Sequence, residues 1–249
     1  MIKYFILHYS DYKEEINRRL SFKYAHSEAV LLPTKVSVSE IKRKSQAVSE
    51  DYLEVSLLEK EIEAPVPSFI KSKEALEGAR RGTLIHSVFE HLDYLNYQTE
   101  EEIKTEIERL ILEKKLEPEV LRVVSAKTLS AMSTSQVVSK MRQAKQFEKE
   151  KAFIYLAPAP LVDPSYPEDE EILIQGVIDA YFIDEEGITI VDYKTDYIDR
   201  NDIEASKEKI RIRYEKQLAF YAKALEDITK ISVAHQYIYL YNINEWMHL

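Results

Sequence analysis

The chain of 249 residues has 45% hydrophobic and 31% charged side chains and a formal net charge of -10 at pH 7, which suits one large or two small soluble domains. Its lack of cysteine excludes disulfides, thiolate zinc sites and iron–sulfur clusters, so carboxylates, histidines and carbonyl oxygens would have to hold any metal. Such ligands suit Mg²⁺ or Mn²⁺, and the absence of a G-x-x-x-x-G-K-[ST] loop excludes P-loop ATP hydrolysis by this chain.

The N-terminal part of the sequence predicts a helical arm followed by a linker. SDYKEEINRRL is typical of a short helix, and a second helix is expected to begin in VSVSEIKRK with Ser39 as its N-cap. Pro65 and Pro67 indicate an extended segment, so we divide the chain into an arm, residues 1–68, and a core domain, residues 69–249. The opening residues lack a signal-peptide cleavage site and no apolar run approaches the roughly 18 residues that span a bilayer, so a cytoplasmic location without membrane contact is expected.

The core domain is predicted to be α-helical first and mainly β afterwards. Apolar residues follow helical spacing from Glu74 to Leu95, and further helical stretches run to about Glu148. β-branched and aromatic residues then predict strands in FIYLA, EILIQGVIDAYFI and ITIVDYKT. A long helix from about Ile203 to Thr229 and a final strand, VAHQYIYLY, complete an α/β pattern.

The two strands joined by DEEG carry the strongest chemical signal. In an antiparallel hairpin with a two-residue or four-residue loop centred on residues 185 and 186, Asp179 lies directly opposite Asp192. Strand alternation places Lys194 on the same face as Asp192. Two carboxylates in an apolar strand centre are costly unless they bind a cation or pair with a base, so a divalent metal is expected here. The metal would polarise a scissile phosphate and lower the pKa of a bound water, which Lys194 would orient or activate.

Other registers and a purely structural reading stay open from the hairpin alone. A loop at residues 186 and 187 would pair Asp179 with Lys194 and leave Asp192 on the diagonal of the same face. A three-residue loop would separate these side chains. An isolated D-x-K pattern is also compatible with a buried Asp–Lys ion pair and a second, solvated Asp.

Four motifs in order make the sequence resemble a known family. RGTLIHSVFEHL, QGVIDAYF, VDYKTD and YEKQLAFYAKAL resemble the RecB-type nuclease domain of the PD-(D/E)xK superfamily, and most of all the C-terminal nuclease domain of the AddA (RexA) family of helicase–nuclease subunits. KVSVSEIKR and PSFI extend the likeness over nearly the whole chain. The resemblance implies a restriction-endonuclease-like α/β fold with a central mixed sheet flanked by helices.

The resemblance also implies which residues form the active site. The metal ligands that it implies are His86, Asp179 and Asp192, and the catalytic residues are Asp179, Asp192 and Lys194. Gln217 and Tyr221 fit the Q-x-x-x-Y element of the family, and their spacing places both on one helix face, where they flank the site or touch DNA.

The implied activity is Mg²⁺-dependent hydrolysis of DNA phosphodiester bonds, of exonuclease type and preferably on single strands, in double-strand break repair and recombination. The implied partners are DNA, the helicase domains of the full-length chain and the AddB (RexB) subunit. The net charge of -10 opposes DNA binding, although a metal site concentrates carboxylates and a partner can deliver the strand. A catalytically silent DNA-binding or subunit-docking module of the same complex is the alternative, and a metal hydrolase for other phosphodiesters is a third.

Two neighbouring arginines and two histidines are further candidates. Arg80 and Arg81 precede Gly82 and can hold a phosphate, although exposed arginine pairs are usually solvated; Arg81 is kept as a DNA-binding or site-supporting residue. His8 and His91 are interpreted as structural.

An aromatic stripe and a glutamate complete the candidates. Tyr237, Tyr239 and Tyr241 alternate along the last predicted strand and could stack bases, but core packing or a subunit interface is the favoured interpretation. Glu150 is a candidate for support of the site and stays outside the core assignment, because it is one of three glutamates in ten residues.

Overall fold

The structure is a computed structural model that describes residues 12–23, 29–46 and 73–249. His8, the linker at Pro65 and Pro67 and the predicted boundary near residue 68 lie outside these residues, so the division into arm and core stays a prediction. The described residues divide into two compact units, one within the ranges Met1–Thr34 and Leu156–Ile172 and the other within Lys35–Tyr155 and Leu173–Leu249. All residues of the candidate site belong to the second unit.

The described secondary structure follows the predicted order of helices, strands, helix and strand. No helix within the described ranges is long and apolar enough to cross a membrane. The helices are α1 (Lys13–Leu20), α2 (Val38–Gln46), α3 (Lys73–His91), α4 (Glu100–Leu112), α5 (Val120–Val123), α6 (Ala126–Ser133), α7 (Gln136–Gln143), α8 (Ala159–Val162) and α9 (Ile203–Thr229), with a 3-10 turn at Ala29–Leu31. The strands are β1 (Lys35–Ser37), β2 (Gln146–Pro158), β3 (Glu171–Ile183), β4 (Ile188–Lys194), β5 (Val233–Leu240) and β6 (Glu245–His248).

Side-chain caps determine where several helices begin. Thr99 and Glu102 form a complete capping box at the start of α4. Ser37 does the same for α2: its Oγ accepts the N–H of Glu40 at 3.0 Å, and Glu40 Oε2 accepts the N–H of Ser37 at 2.9 Å. The prediction of Ser39 as the N-cap is therefore wrong, because Glu40 stands three residues after Ser37, the spacing that a capping box requires.

The strands form one mixed sheet. Its order is β1-β3-β4-β5-β6, and β2 also pairs with β3. β1 runs parallel to β3 and β4 runs parallel to β5, whereas the β3–β4 and β5–β6 pairs are antiparallel. The predicted mixed sheet is confirmed, and the short strands β1 and β6 were not predicted.

The β3–β4 hairpin has the four-residue loop, one of the two predicted loop lengths that place Asp179 opposite Asp192. Ala180 pairs with Val191, and the strands are joined by the four residues 184–187, whose ends are tied by the Asp184 N–H bond to the Gly187 carbonyl at 3.0 Å. Gly187 has a φ of +130°, which favours glycine. Continuing this register places Asp179 opposite Asp192, so the predicted hairpin register is confirmed.

Helices cover both faces of the sheet. One face packs against α3 and the helices that follow it; there the ring of Phe89 stacks on that of Tyr193 at 4.1 Å between centroids. The other face carries Asp192, which receives a hydrogen bond from Gln217 on α9. A mixed sheet flanked by helices is the α/β architecture predicted for a restriction-endonuclease-like fold.

Candidate active site

The centre of the candidate site is an ion pair on β4. Asp192 and Lys194 lie two residues apart on one face of the strand, as alternation predicts. Lys194 Nζ is 2.9 Å from Asp192 Oδ2, and the two side chains are 8% and 0% exposed. A charge that is removed from water in this way needs its partner, so each residue fixes the position of the other.

The long helix α9 supports this ion pair from outside the sheet. Gln217 Nε2 lies 3.4 Å from Asp192 Oδ1 and donates to Tyr221 OH at 2.8 Å, one turn further along the helix. Both residues are buried, and within the described residues Gln217 Oε1 has no hydrogen-bond partner. Of the two roles expected for Gln217 and Tyr221, the geometry favours supporting the site over direct contact with DNA.

Asp179 and His86 form the second half of the site. Asp179 Oδ2 accepts the backbone N–H of Tyr193 at 2.8 Å, which holds the carboxylate against β4. His86, on α3, places its Nδ1 3.8 Å from the same oxygen and is 32% exposed. A carboxylate and an imidazole nitrogen thus stand side by side, where solvent can reach the histidine.

A cavity of about 1130 Å³ joins these groups. Asp192 does not line the cavity itself. It contacts two residues that do, Lys194 and Gln217. The other predicted site residues all line the cavity: Arg81, His86, Asp179, Lys194, Gln217 and Tyr221. The structure therefore brings the predicted residues into one place.

Gly176 permits the close packing of β3 at this cavity. A Cβ atom at this position would lie 2.8 Å from Cε1 of Phe153 and 3.3 Å from Cε1 of Tyr221. Phe153 and Tyr221 meet edge to face at 5.7 Å between ring centroids. The glycine of the GVID motif is therefore needed for space.

Glu150 is a site residue that the sequence analysis did not assign. It lies in β2 with a φ of +47°, in the left-handed region that non-glycine residues rarely adopt, and it lines the cavity. Burial, followed by the negative charges of Asp179 and Glu90, raises the pKa of the Glu150 carboxyl to about 7. The sequence alone offered only the cluster FEKEK, in which nothing distinguishes Glu150 from its neighbours.

Two cationic side chains on the cavity wall, Lys42 and Arg213, were not among the predicted site residues. Lys42 on α2 and Lys194 on β4 each place Nζ 4.5 Å from the centroid of the Tyr214 ring, so two ammonium groups contact one aromatic residue. Arg213 pairs with Asp196 at 2.5 Å, and Tyr214 OH donates to the same carboxylate at 2.9 Å. Lys42 comes from the predicted arm, so the sequence separation hid it.

The two arginines before Gly82 have different surroundings. Arg81 lines the cavity, donates to Asn242 Oδ1 at 2.7 Å and lies 5.9 Å from the centroid of the Tyr241 ring. Arg80 instead forms ion pairs with Glu117 and Glu119. Only Arg81 therefore stays a candidate for contact with a substrate.

The remaining candidates have structural surroundings. His91 Nδ1 is 2.9 Å from the Ser87 carbonyl on the preceding helical turn, in agreement with a structural role. Tyr239 and Tyr241 are buried in the core and Tyr237 packs against it. Of the two favoured interpretations, core packing or a subunit interface, core packing is confirmed for Tyr239 and Tyr241.

The donor set fits a hard divalent cation in its chemistry. Carboxylates and an imidazole are ligands of Mg²⁺ or Mn²⁺. Burial first, and the charges of Asp179 and Glu90 second, raise the pKa of the Glu150 carboxyl, and a bound cation would favour its ionised form. In the part of the chain that the structure describes, however, no three His, Asp or Glu side chains form a ready-made metal group. Asp192 is engaged with Lys194, so the three expected ligands are neighbours of one cavity and not a preformed set.

Comparison of the sequence with protein families identifies the family to which these site residues belong. A model described as the PD-(D/E)XK nuclease superfamily matches residues 58–244, which contain the hairpin, His86 and α9. The chain belongs to the PD-(D/E)XK nuclease superfamily. Asp179, Asp192 and Lys194 therefore lie in a nuclease domain, and enzymes of this superfamily generally use divalent metal ions.

Curated relatives agree with this membership. An ATP-dependent helicase/nuclease subunit of the AddA type from Clostridium botulinum (strain Kyoto / Type A2) is 37% identical over 242 residues, which cover 96% of this chain and 18% of the relative. The protein of the same name from Alkaliphilus oremlandii is 35% identical over 243 residues, covering 97% of this chain and 20% of the relative. This nuclease domain thus spans about a fifth of the length of these relatives.

Proposed function

We propose that this domain is a metal-dependent deoxyribonuclease that hydrolyses phosphodiester bonds, preferably in single-stranded DNA. The observation that supports this most is the buried Asp192–Lys194 pair, whose lysine lines the same cavity as Asp179 and His86. A buried Asp–Lys pair alone would be compatible with a structural role. Its position beside an imidazole and further carboxylates, in a PD-(D/E)XK domain, favours catalysis.

His86, Asp179 and Asp192 are the proposed metal ligands, with Mg²⁺ the expected ion and Mn²⁺ its substitute. When bound, the ion polarises the scissile phosphate and lowers the pKa of the attacking water. Lys194, next to Asp192, orients that water and stabilises the negative charge of the transition state. Exonuclease-type cleavage belongs to the same proposal.

The remaining residues hold this machinery in position. The Tyr193 N–H fixes one oxygen of Asp179. Gln217 fixes one oxygen of Asp192 while it is itself held by Tyr221. Glu150 lies on the cavity wall and, in its ionised form, would increase the attraction for a cation.

Cationic side chains in the cavity bear on the objection raised by the acidic composition. The whole chain has a net charge of -10, and side chains of both signs line this cavity. The cationic ones are Lys42, Arg81, Lys194 and Arg213, and the acidic ones are Glu40, Glu90, Glu150, Asp179 and Asp196. Phosphate contacts need cationic groups only where the strand passes. An acidic surface elsewhere is therefore compatible with DNA cleavage at the cavity.

We further propose that the domain is the nuclease part of an AddA (RexA) helicase–nuclease polypeptide. This rests on the relatives named as ATP-dependent helicase/nuclease subunits, of whose length the chain covers about a fifth. The expected partners are the helicase domains of the full-length chain and an AddB (RexB) subunit. The expected setting is double-strand break repair and recombination in the cytoplasm.

One observation favours the alternative of a catalytically silent DNA-binding or docking module. The described residues contain no preformed group of three metal ligands, and Asp192 is held by Lys194. If that pair does not open to a cation, the cavity would bind a strand without cutting it. Cleavage and binding must therefore be measured separately.

Degradation of labelled single-stranded and double-stranded DNA tests the proposal. The unchanged chain, Asp192→Ala, Lys194→Ala and a control, Glu185→Ala at the exposed hairpin turn, are compared in Mg²⁺, Mn²⁺ and EDTA. We expect metal-dependent cleavage, faster on single strands, that falls at least about 100-fold in both site variants and is kept in the control. Binding without cleavage in every metal would favour the silent module. Cleavage that survives both substitutions would refute the assigned centre.

A further inference from the structure

Tyr197 is a large aromatic residue displayed on the rim of the cavity. Its side chain lines the cavity and the residue is 84% exposed. It lies three residues after Lys194, in the segment that connects β4 to α9. Tyr197 therefore lines the same cavity as the proposed catalytic lysine and is mostly exposed to solvent.

The backbone beneath this ring is held on several sides. Asn242 Nδ2 donates to the carbonyl oxygens of Thr195 and Asp196, at 2.8 and 2.7 Å. The Asp196 carboxylate accepts from Arg213 and Tyr214, and Ile198 on the other side of Tyr197 is buried. Between Thr195 and Ile198, Tyr197 is the one exposed residue, so the backbone that carries its ring needs little further ordering upon binding.

Two further apolar side chains on the cavity wall are exposed. Ile154 on β2 is 65% exposed and Val177 on β3 is 44% exposed. Exposed apolar groups that gather at a functional cleft mark a surface that binds an apolar face of a ligand. Cations and apolar groups therefore share this cavity.

A strand of nucleic acid offers both phosphates and exposed base faces to a protein only when its bases are unpaired. Phosphates suit the cationic side chains, whereas the flat faces of the bases suit an aromatic ring. In a duplex these faces are stacked inside the helix and cannot reach Tyr197.

We propose that Tyr197 stacks on an unpaired base of the bound strand and so contributes to the selection of single-stranded over double-stranded DNA. The inference rests on the proposed function, because it concerns the substrate of the same cavity. Tyr197 acts here as a specificity-determining residue, and the chemistry stays with the β3–β4 hairpin.

Binding in EDTA separates this proposal from the chemistry of cleavage. The probes are a fluorescein-labelled single-stranded oligodeoxynucleotide and an abasic oligomer of the same length, which keeps the phosphates and lacks the bases. The proteins are the unchanged chain, Tyr197→Ala, Tyr197→Phe and a control, Leu112→Ala, which removes an exposed apolar side chain that does not line the cavity.

We expect Tyr197→Ala to bind the base-containing strand roughly 5- to 150-fold more weakly, while Tyr197→Phe and Leu112→Ala bind normally. On the abasic oligomer all four proteins should bind alike. The proposal would be overturned if Tyr197→Ala bound the base-containing strand as tightly as the unchanged chain does. It would also be overturned if Tyr197→Ala lost the same affinity for both probes, or if the unchanged chain bound neither.

Cleavage distinguishes a failure of this proposal from a failure of the proposed function. If the chain cuts, Tyr197→Ala should raise KM for single strands and leave kcat and duplex cleavage little changed. A chain that shows the base-dependent binding but cuts nothing in any metal would support the stacking role and refute the nuclease activity. If the chain cuts DNA and Tyr197→Ala leaves KM unchanged, the nuclease activity would be supported and the stacking role refuted.

Discussion

Asp192 Oδ2 and Lys194 Nζ lie 2.9 Å apart on one face of β4, almost entirely removed from solvent. Loss of one member of a buried pair leaves the other as an uncompensated charge. The pair is therefore both the proposed catalytic centre and a point of structural dependence, and these two roles can be separated by experiment.

Replacement of Lys194 by methionine should lower the free energy of unfolding by about 3 to 5 kcal/mol in EDTA, because Asp192 stays buried without its partner. Urea denaturation measures this. Mg²⁺ should recover more stability in the variant than in the unchanged chain, since a cation can replace the lost ammonium group. The exposed pair of Lys140 and Glu186 gives the control, and Lys140→Met should have a much smaller effect. Equal effects of the two substitutions would contradict the proposed dependence.

Glu150 should make the metal-free domain less stable as the pH rises. Its pKa is raised from 4.5 to about 7, so between these values the folded state binds more protons than the unfolded state. The free energy of unfolding therefore falls from about pH 4.5 to pH 7 and then levels off. Glu150→Gln removes this loss and should be more stable than the unchanged chain at pH 8 by about 1 to 2 kcal/mol, after allowance for solvent screening.

Thermal or urea unfolding at pH 5 and pH 8 in EDTA checks this difference. Glu148→Gln is the matched control on β2, where the carboxylate lies 3.6 Å from Lys151 and does not line the cavity. The control should not gain stability at pH 8. If Glu150→Gln is no more stable than the unchanged chain at pH 8, the cavity does not destabilise the ionised form of Glu150.

Gly176→Ala should destabilise the domain, because the new Cβ would stand 2.8 Å from a ring carbon of Phe153. Overpacking of this kind costs about 1 to 3 kcal/mol, measured as a shift in the urea midpoint. Phe153→Leu in the same chain should recover part of that loss, since it removes the ring that the methyl group meets. A neutral Gly176→Ala, or additive losses in the double variant, would contradict this account of the packing.

Arg81 should contribute to DNA binding and Arg80 should not. Arg81→Gln is expected to weaken binding of different DNA sequences about equally. It should also reduce the slope of log affinity against log salt concentration by about 1, because one phosphate contact is lost. Arg80→Gln is the control, because Arg80 is paired with Glu117 and Glu119. Titrations at several salt concentrations measure both slopes. An equal reduction for both variants would exclude a specific role of Arg81.

The parts of the fold that follow from local rules were predictable from the sequence. The bounds of α9 and the β3–β4 register agree with the structure, because periodicity and loop length determine them. The proximity of Asp192 and Lys194 followed from strand alternation alone. Ser37 was also detectable, since its capping box with Glu40 is visible in the sequence.

The surroundings of Lys42, which was not predicted, and of Glu150, which was a candidate outside the core assignment, depend on contacts that no local pattern encodes. Lys42 reaches the ring of Tyr214 from a helix more than a hundred residues earlier in the chain. Glu150 is distinguished from the other glutamates of β2 by a positive φ and by neighbouring carboxylates. The engagement of Asp192 by Lys194, which keeps the expected metal ligands from forming a ready-made set, likewise needed coordinates.

The single-turnover rate at which the domain cuts a labelled single strand in Mg²⁺ tests the central claim most directly. Asp192→Asn keeps the shape of the side chain and removes its charge, and Asp184→Asn makes the same change in the turn of the same hairpin. We predict that Asp192→Asn lowers the rate at least about 100-fold with little change in DNA binding, while Asp184→Asn cuts normally and EDTA stops cleavage. Cleavage by Asp192→Asn at the unchanged rate, or cleavage that persists in EDTA, would contradict a metal-dependent centre on this hairpin.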